Sequence, residues 1–195
     1  MGDPKFSRRR YDTPKHPWEG ERIKEEADLL RKYGLKNKTE LWKAKSILGR
    51  YRQRARILQA QVRYGDIQAE KEKKELLASI SKLGLLSENA TLDDVLGLDV
   101  ETILNRRLQT FTVRKGLAYS GHMARQMIVH GHISIAGKKV TIPSYLVKRA
   151  EEEQIAYTPS SPLTNDLHPA RPKQEVLDHL AQVRAVEERT RTKEA

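Results

Sequence analysis

The stretch SGHMARQMIVHGHISIAGKKVTI, residues 120–142, changes its apolar spacing halfway along and thereby decides the fold class. Its first half has apolar residues three and four positions apart, which predicts a helix over residues 121–130 that follows Ser120 as its N-cap. Its second half alternates apolar and polar residues on both sides of Ala136-Gly137, which predicts two antiparallel strands and a tight turn. The apolar residues that carry these patterns are Ala124, Met127 and Ile128, then Ile133, Ile135, Val140 and Ile142. A helix followed directly by a hairpin predicts an α+β fold.

Outside this stretch the chain predicts helices and one further strand. Residues 155–157 predict a third short strand, so we expect a small helix-rich module with a short antiparallel sheet over residues 106–157. Residues 39–63 have apolar residues at alternating spacings of three and four, which predicts one long amphipathic helix. Shorter helices are expected over residues 21–33 and over residues 70–83, the latter with Asp66 as its N-cap. Thr91 and Asp99 are expected to be the N-caps of a short turn and of a longer helix that runs through Leu108.

Composition divides the rest of the chain. Residues 1–20 are rich in Lys, Arg, Pro and aromatic side chains without apolar periodicity, which predicts an extended basic arm. We therefore expect four parts: this arm, a helical region over residues 21–105, the module over residues 106–157, and a linker with an acidic tail helix over residues 158–195.

Charge points to a polyanionic partner. The 195 residues include 37 Lys and Arg against 26 Asp and Glu, a formal net charge of +11. The excess is uneven: +10 over residues 1–63, −4 over 64–100, +8 over 101–150 and −3 over 151–195. Two basic blocks separated by an acidic one favour two surfaces that meet one nucleic acid. The alternative for the long helix is a solvated basic face that only covers the core edge.

The composition also excludes several classes of protein. The sequence has no cysteine, which excludes disulfides, thiolate nucleophiles and cysteine zinc sites. No apolar run approaches the ~20 residues of a membrane span, and no signal-peptide apolar core is present. We expect an intracellular protein without a membrane partner.

Two pairs of residues are of the types found in catalytic or metal sites, but their spacing does not favour either kind of site. The adjacent carboxylates of Asp93 and Asp94 would point about 100° apart on a helix, which favours first-turn charges over a catalytic pair. His130 and His132 would lie at a helix end without a third ligand nearby. The chain has no glycine-rich phosphate loop and no Gly-x-Ser-x-Gly motif. An isolated aspartate can act in catalysis without a motif, so an enzyme remains an alternative at this point.

The second basic block favours RNA over DNA. Its cations are interleaved with hydrogen-bonding side chains such as Gln109, Ser120 and Gln126. A helix, a glycine-bounded turn and a two-stranded ribbon suit the shape and 2′-hydroxyls of a folded RNA, whereas DNA-binding proteins usually insert one helix into the major groove.

Two sets of motifs resemble a known family. The runs RRLQTFTVRKGLA (residues 106–118) and SGHMARQMIVHGHISIAGKKVTIPSY (residues 120–145) resemble the RNA-binding module named after the fourth protein of the small ribosomal subunit. That module also occurs in pseudouridine synthases, RNA methyltransferases, tyrosyl-tRNA synthetases and heat-shock proteins, so it implies RNA binding without deciding the role. The motifs MGDPK, YDTPKHPW, YGLKNK and ELW resemble the amino-terminal region of the ribosomal protein family itself, in its archaeal and eukaryotic branch.

The resemblance implies a primary rRNA binder in the body of the small subunit, near the mRNA entry side, that nucleates assembly and contributes to translational accuracy. Its implied partners are small-subunit rRNA, neighbouring ribosomal proteins and mRNA at the entry side; its implied location is the cytoplasm. The resemblance implies neither catalysis nor a cofactor. No metal is expected either, because the cysteine zinc site of some bacterial relatives cannot form in a chain without cysteine. A ribosome-assembly or pre-rRNA processing factor, or an RNA-modifying enzyme with an accessory module, remain the alternatives.

The resemblance also implies which residues face RNA. In the module these are Arg106, Arg107, Ser120, Arg125, Gln126, His130, His132 and Lys138, to which the residue pattern adds His122 and Lys139. In the arm and the long helix they are Lys5, Arg8, Arg9, Arg10, Lys43, Arg50, Arg52, Arg54 and Arg56. We predict that Arg125→Ala and Arg107→Ala each weaken RNA binding by ~1 to 3 kcal/mol if their side chains make charged hydrogen bonds to RNA.

Overall fold

A computed structural model describes residues 9–165 and 168–173. In this part of the chain the α+β prediction is confirmed: seven α-helices accompany one small antiparallel sheet. The helices are α1 (Gly20–Tyr33), α2 (Lys38–Arg63), α3 (Ile67–Lys82), α4 (Leu92–Leu96), α5 (Val100–Asn105), α6 (Leu108–Arg114) and α7 (Gly121–Val129). The strands are β1 (Ile133–Ile135), β2 (Lys138–Lys139) and β3 (Ile155–Tyr157).

The long helix α2 forms the centre of the helical region. Its predicted apolar stripe is confirmed, since Leu41, Ala44, Leu48, Ala55 and Leu58 are buried. Helices α3, α4 and α5 pack against this stripe, and the cluster extends from Tyr33 to Leu104. Burial of one face leaves the cations of α2 on its flanks and outer side.

Side-chain caps begin two of these helices as predicted. The Asp66 carboxylate accepts a hydrogen bond of 2.9 Å from the backbone N–H of Gln68 at the start of α3. Thr91 and Asp94 form a reciprocal capping box at the start of α4. Asp94 is therefore a helix-start residue, and its pKa is lowered chiefly by the backbone hydrogen bond from Thr91.

The predicted helix from Asp99 through Leu108 is wrong, because the structure divides it into α5 and α6. Arg106 and Arg107 lie between these helices, and the backbone of Arg107 is extended. The Leu108 N–H donates to the Tyr145 carbonyl at 2.8 Å, and the Val147 N–H donates to the Arg106 carbonyl at 2.9 Å. These distant backbone partners interrupt the helix at the arginine pair.

The three-stranded sheet has the order β2-β1-β3. The predicted turn is confirmed, with Ala136 at φ 50° and Gly137 at φ 75°, the left-handed pair that a tight hairpin requires. The predicted second strand is wrong in extent: β2 ends at Lys139, and Ile142 is exposed. Pro143 follows Ile142 and has no N–H to extend the ladder.

A second apolar cluster supports α6, α7 and the sheet. It runs from Leu108 to Leu163 and is distinct from the cluster around α2. Leu163 lies beyond residue 157, where we placed the end of the module. Thr158 joins it there, because its N–H donates to the His132 carbonyl at 2.8 Å. The predicted tail helix and the cations Lys5 and Arg8 lie outside the described residues.

Candidate nucleic-acid interface

Helix α7 and the hairpin present polar and cationic side chains to solvent. The apolar side of α7 is buried as predicted, through Ala124, Met127 and Ile128, whereas Val129 is 53% exposed. The predicted RNA-facing residues that are exposed in this module are Ser120, His122, Gln126, His130, Lys138 and Lys139. Ser120 also caps α7, because its Oγ accepts from the Met123 N–H at 3.3 Å.

The turn after α7 brings a lysine beside two histidines. The rings of His130 and His132 lie nearly parallel, with centroids 6.2 Å apart. The side chain of Lys139 lies over Gly131, the residue that separates the two histidines in the sequence, since a Cβ built on Gly131 would be 1.8 Å from Lys139 Cε. His132 Nδ1 is 2.8 Å from Ser161 Oγ. Gly131 is at φ 78° and cannot be replaced without moving Lys139.

One carboxylate on α2 joins two of the predicted RNA-binding arginines. Glu40 Oε1 accepts from Arg125 Nη2 at 2.7 Å, and Glu40 Oε2 accepts from Arg107 Nη2 at 2.6 Å. We call these three residues the Glu40 clamp. Arg107 is only 5% exposed, whereas the side chain of Arg125 is 24% exposed. The clamp ties α2 to α7 and leaves one excess positive charge.

The clamp keeps its groups charged. Burial alone would raise the pKa of Glu40, but hydrogen bonding from Arg125 and the charge of Arg107 lower that pKa below its ordinary value. Desolvation lowers the pKa of Arg107, and the charge of Glu40 opposes this effect. A buried guanidinium next to a half-buried carboxylate is a structural ion pair. The sequence pattern could not distinguish such an arginine from one that binds a phosphate.

The other arginine of the pair, Arg106, is also turned inward. Its Nη1 donates to Glu152 Oε1 at 2.6 Å and its Nη2 to the Val147 carbonyl at 2.8 Å. Its guanidinium lies 4.8 Å from the centre of the Phe111 ring. Arg106 is 9% exposed. Through these contacts its side chain connects α6 to the segment that precedes β3.

A glycine pair and a glutamine complete the contact between the helical region and the module. A Cβ built on Gly34, which follows α1, would lie 2.7 Å from the backbone carbon of Gly121 at the start of α7. Gln109 Nε2 donates to the carbonyls of Gly34 and Gly121 at 2.7 and 2.8 Å. Gln109 is buried, so this hydrogen-bonding residue of the second basic block lies at the contact between the helical region and the module and not on the surface.

The cations of α2 differ in how they are held. Lys43, Arg50 and Arg56 are exposed. Arg54 is also exposed and lies 3.4 Å from Glu72 of α3. Arg52 is half-buried, and its Nη2 donates to the Leu98 carbonyl. Four of the five predicted cations on α2 are therefore accessible to a large partner.

The arm lies against α1 and α2 through a buried acid. Glu26 is 1% exposed and accepts hydrogen bonds from Trp42 and Lys45. Burial would raise the pKa of Glu26, but the hydrogen bonds from Lys45 and Trp42 lower it. Arg22, which also donates to Glu26, donates to the carbonyls of His16 and Pro17 at 2.6 and 3.0 Å. The Asp12 N–H donates to Ser46 Oγ of α2 at 3.1 Å, so the exposed Arg9 and Arg10 lie near α2.

Neither a metal site nor a membrane helix is found in the described residues. Within residues 9–165 and 168–173, no three His, Asp or Glu side chains are grouped to hold a metal ion. Across the same residues, no helix has the length and apolar character needed to cross a membrane.

The chain was compared with known proteins. Residues 106–154 match the S4 domain family. A protein of Thermoplasma acidophilum named "Small ribosomal subunit protein uS4" is 53% identical over 171 residues, which cover 88% of this chain and 86% of that protein. This chain belongs to the uS4 family of ribosomal proteins. Proteins of the same name from Methanococcus aeolicus and Nanoarchaeum equitans are 52% and 53% identical, covering 88% and 84% of this chain and 96% and 91% of those proteins.

Membership in the uS4 family confirms the resemblance inferred from the sequence motifs. The matched S4 domain, residues 106–154, contains α6, α7 and the hairpin. Glu40 lies outside that domain, so the clamp is a contact between the S4 domain and the helical region. Sequence reasoning missed Glu40. The one available signal was that Glu40 is the only acid of α2 and is followed there by seven cations.

Proposed function

We propose that this chain is a structural constituent of the small ribosomal subunit that binds rRNA, nucleates assembly of the subunit body and contributes to translational accuracy. The observation that carries this proposal is the near-full-length likeness to proteins named as small ribosomal subunit proteins. That likeness spans both basic blocks, so it favours the structural role over a pre-rRNA processing factor or an enzyme with an accessory S4 domain. The chain then acts by binding rather than by catalysis.

The proposed RNA-binding surface consists of cationic and polar side chains that are exposed or partly exposed. In the S4 domain we assign this role to Ser120, His122, Arg125, Gln126, His130, His132, Lys138 and Lys139. Outside it we assign the role to Arg9, Arg10, Lys43, Arg50, Arg54 and Arg56. Phosphates bind to exposed ammonium and guanidinium groups, whereas histidine and glutamine donate to bases and 2′-hydroxyls.

Arg106, Arg107 and Arg52 have a different proposed role. Each donates to a carboxylate or carbonyl of this chain, so we infer that they hold the RNA-binding surface in shape. Arg125 combines both roles, because Glu40 orients its guanidinium while part of the side chain remains exposed. The proposed partners are small-subunit rRNA, neighbouring small-subunit proteins and mRNA at the entry side, all in the cytoplasm.

Binding to transcribed small-subunit rRNA at several salt concentrations tests the proposal. If ~6 to 10 phosphates are neutralised, the affinity falls by ~10³ to 10⁵ between 50 and 200 mM salt. Salt-independent binding would contradict a phosphate-dominated interface. Co-sedimentation with mature subunits, compared with precursor particles, separates a ribosomal constituent from an assembly factor.

A further inference from the structure

The surface beside α7 contains an apolar cavity that the proposed phosphate contacts do not use. It has a volume of about 310 Å³ and lies between α7 and the segment that follows β3. Its apolar walls include Met123, Met127 and Leu163, and Gln126, His130 and His132 line it as well. We call it the α7 cavity.

The walls of the α7 cavity suit a flat aromatic ligand. Met123 and Met127 offer polarisable thioethers, which make favourable contacts with aromatic rings. Its volume is at the lower end of the ~300 to 1,000 Å³ that is usual for small-molecule sites. One planar heterocycle therefore fits this space better than a larger ligand.

The polar groups of the α7 cavity suit the edge of such a ring. Gln126 is exposed and carries both a donor and an acceptor on its amide. Ser161 Oγ lies at hydrogen-bonding distance, 2.8 Å, from Nδ1 of His132. A ligand would therefore hydrogen-bond to the other ring nitrogen, Nε2. These groups are able to hydrogen-bond to the edge of a nucleobase.

The turn that carries the two histidines of the cavity also holds a cation. The side chain of Lys139 packs on Gly131, which separates His130 from His132 in the sequence, and this lysine is exposed. An apolar slot, a hydrogen-bonding edge and an adjacent ammonium group correspond to the base and the phosphate of one nucleotide. A purely apolar occupant, such as an aliphatic side chain, would not use the hydrogen-bonding groups that Gln126 and His132 present to the cavity.

We propose that the α7 cavity receives a single unstacked base of the rRNA, with Lys139 on its phosphate. This inference rests on the proposed function and deepens it, because it places one base of the rRNA in a particular cavity of the RNA-binding surface. An inserted base would fix the register of the S4 domain on the RNA.

Methyl NMR tests the inference on the full chain, because two of its three methionines line the cavity. With ¹³C-methyl methionine, transcribed small-subunit rRNA should move the Met123 and Met127 signals upfield through the ring current of the base. If rRNA binds with the expected salt dependence and neither signal moves, the inference is overturned and the proposed function stands. If the signals move only after neighbouring ribosomal proteins are added, a protein segment fills the cavity and the inference is again overturned.

A blocked cavity supplies the matched test. Ala170 is exposed and lines the cavity, so Ala170→Trp obstructs it without disturbing the core. Ala78→Trp, at an exposed position of α3, is the control. In the wild-type and Ala78→Trp complexes, we expect one base of the rRNA to be protected from base-modifying reagents. The same base should become reactive in the Ala170→Trp complex. The affinity of Ala170→Trp should fall about five-fold or more, the loss of one stacked base. Equal protection and affinity in all three proteins would overturn the inference.

Discussion

Glu40 and Arg125 are joined across 85 sequence positions by two hydrogen bonds, of 2.7 Å from Nη2 to Oε1 and 3.2 Å from Nη1 to Oε2. This two-pronged contact orients the guanidinium of α7 from the first turn of α2. The same carboxylate also accepts from Arg107. One negative charge therefore holds two positive ones, and the two basic blocks of the sequence keep a fixed relative orientation.

Glu40→Gln is expected to destabilise the chain. It leaves Arg107 buried beside a neutral amide, and loss of one partner from a buried ion pair costs ~3 to 5 kcal/mol. Because the Glu40 side chain retains 17% exposure, we expect a loss of about 2 to 3 kcal/mol in urea unfolding. Glu72→Gln is the control: it removes the exposed pair with Arg54 and should cost less than about 0.5 kcal/mol. Equal losses for the two variants would contradict a special role for Glu40.

The contribution of Glu40 should depend on pH. Since the folded state lowers the pKa of Glu40 below its ordinary 4.5, the unfolded state takes up a proton first as the pH falls. The stabilisation is therefore complete well above pH 4.5 and is lost as the pH falls through the folded-state pKa. The difference in unfolding free energy between wild type and Glu40→Gln should stay constant near neutral pH and shrink in acid. A difference that does not change with pH would show that Glu40 acts by packing.

Two glycines should respond in opposite directions to alanine. Gly34 is at φ 60°, and a Cβ there would lie 2.7 Å from the Gly121 backbone. Gly34→Ala should therefore lower the unfolding free energy by about 2 kcal/mol or more, since the left-handed conformation alone costs ~1 to 2 kcal/mol. Gly49 is exposed within α2 with no atom within 4 Å of a built Cβ, so Gly49→Ala should raise it by ~0.5 to 1 kcal/mol. Thermal and urea unfolding of both variants measure these changes.

Arg125→Ala and Arg107→Ala should separate RNA binding from stability. Arg125 is partly exposed, and we expect its removal to weaken rRNA binding by ~1 to 3 kcal/mol. Arg107 is buried on Glu40, so its removal should cost ~3 kcal/mol of stability. At a temperature where both variants are folded, Arg107→Ala should bind rRNA better than Arg125→Ala does. The reverse order would return Arg107 to the RNA-binding surface.

The hairpin lysines should set part of the salt dependence. Replacing Lys138 and Lys139 together by Gln should lower the slope of log affinity against log salt by about one for each phosphate that the variant no longer neutralises. Lys74→Gln, an exposed position of α3 within the acidic block of residues 64–100, is the control and should leave the slope unchanged. Filter binding to transcribed rRNA between 50 and 200 mM salt measures both slopes. An unchanged slope in the double variant would remove the hairpin from the phosphate-binding surface.

Features that depend on neighbouring residues could be predicted from the sequence. The apolar stripe of α2, the caps at Asp66 and Ser120, and the turn at Ala136 all arise from contacts within a few positions. The break between α5 and α6 could not be predicted in this way. It depends on backbone hydrogen bonds from residues 106–108 to residues 145–147, which compete with helix formation.

The candidate site also combines features that the sequence predicted with features that it could not predict. Residue type and block charge identified the cations, because phosphate binding requires positive charge wherever it occurs. They could not show which arginines turn inward, since a guanidinium has the same sequence signature on Glu40 as on a phosphate. The α7 cavity was also missed, because Leu163 and Ala170 lie in a stretch whose composition is typical of a linker.

By itself the sequence determined the fold class, the uS4 family and the two blocks of positive charge, since these follow from local periodicity, motifs and composition. Only the tertiary structure decided which charges are available to RNA. Glu40, Glu152 and the Leu98 carbonyl are brought to Arg107, Arg106 and Arg52 by the packing of distant elements, and a buried charge requires such a partner. The net charge of +11 thus indicates a polyanionic partner, and the fold determines which cationic side chains remain exposed to bind it.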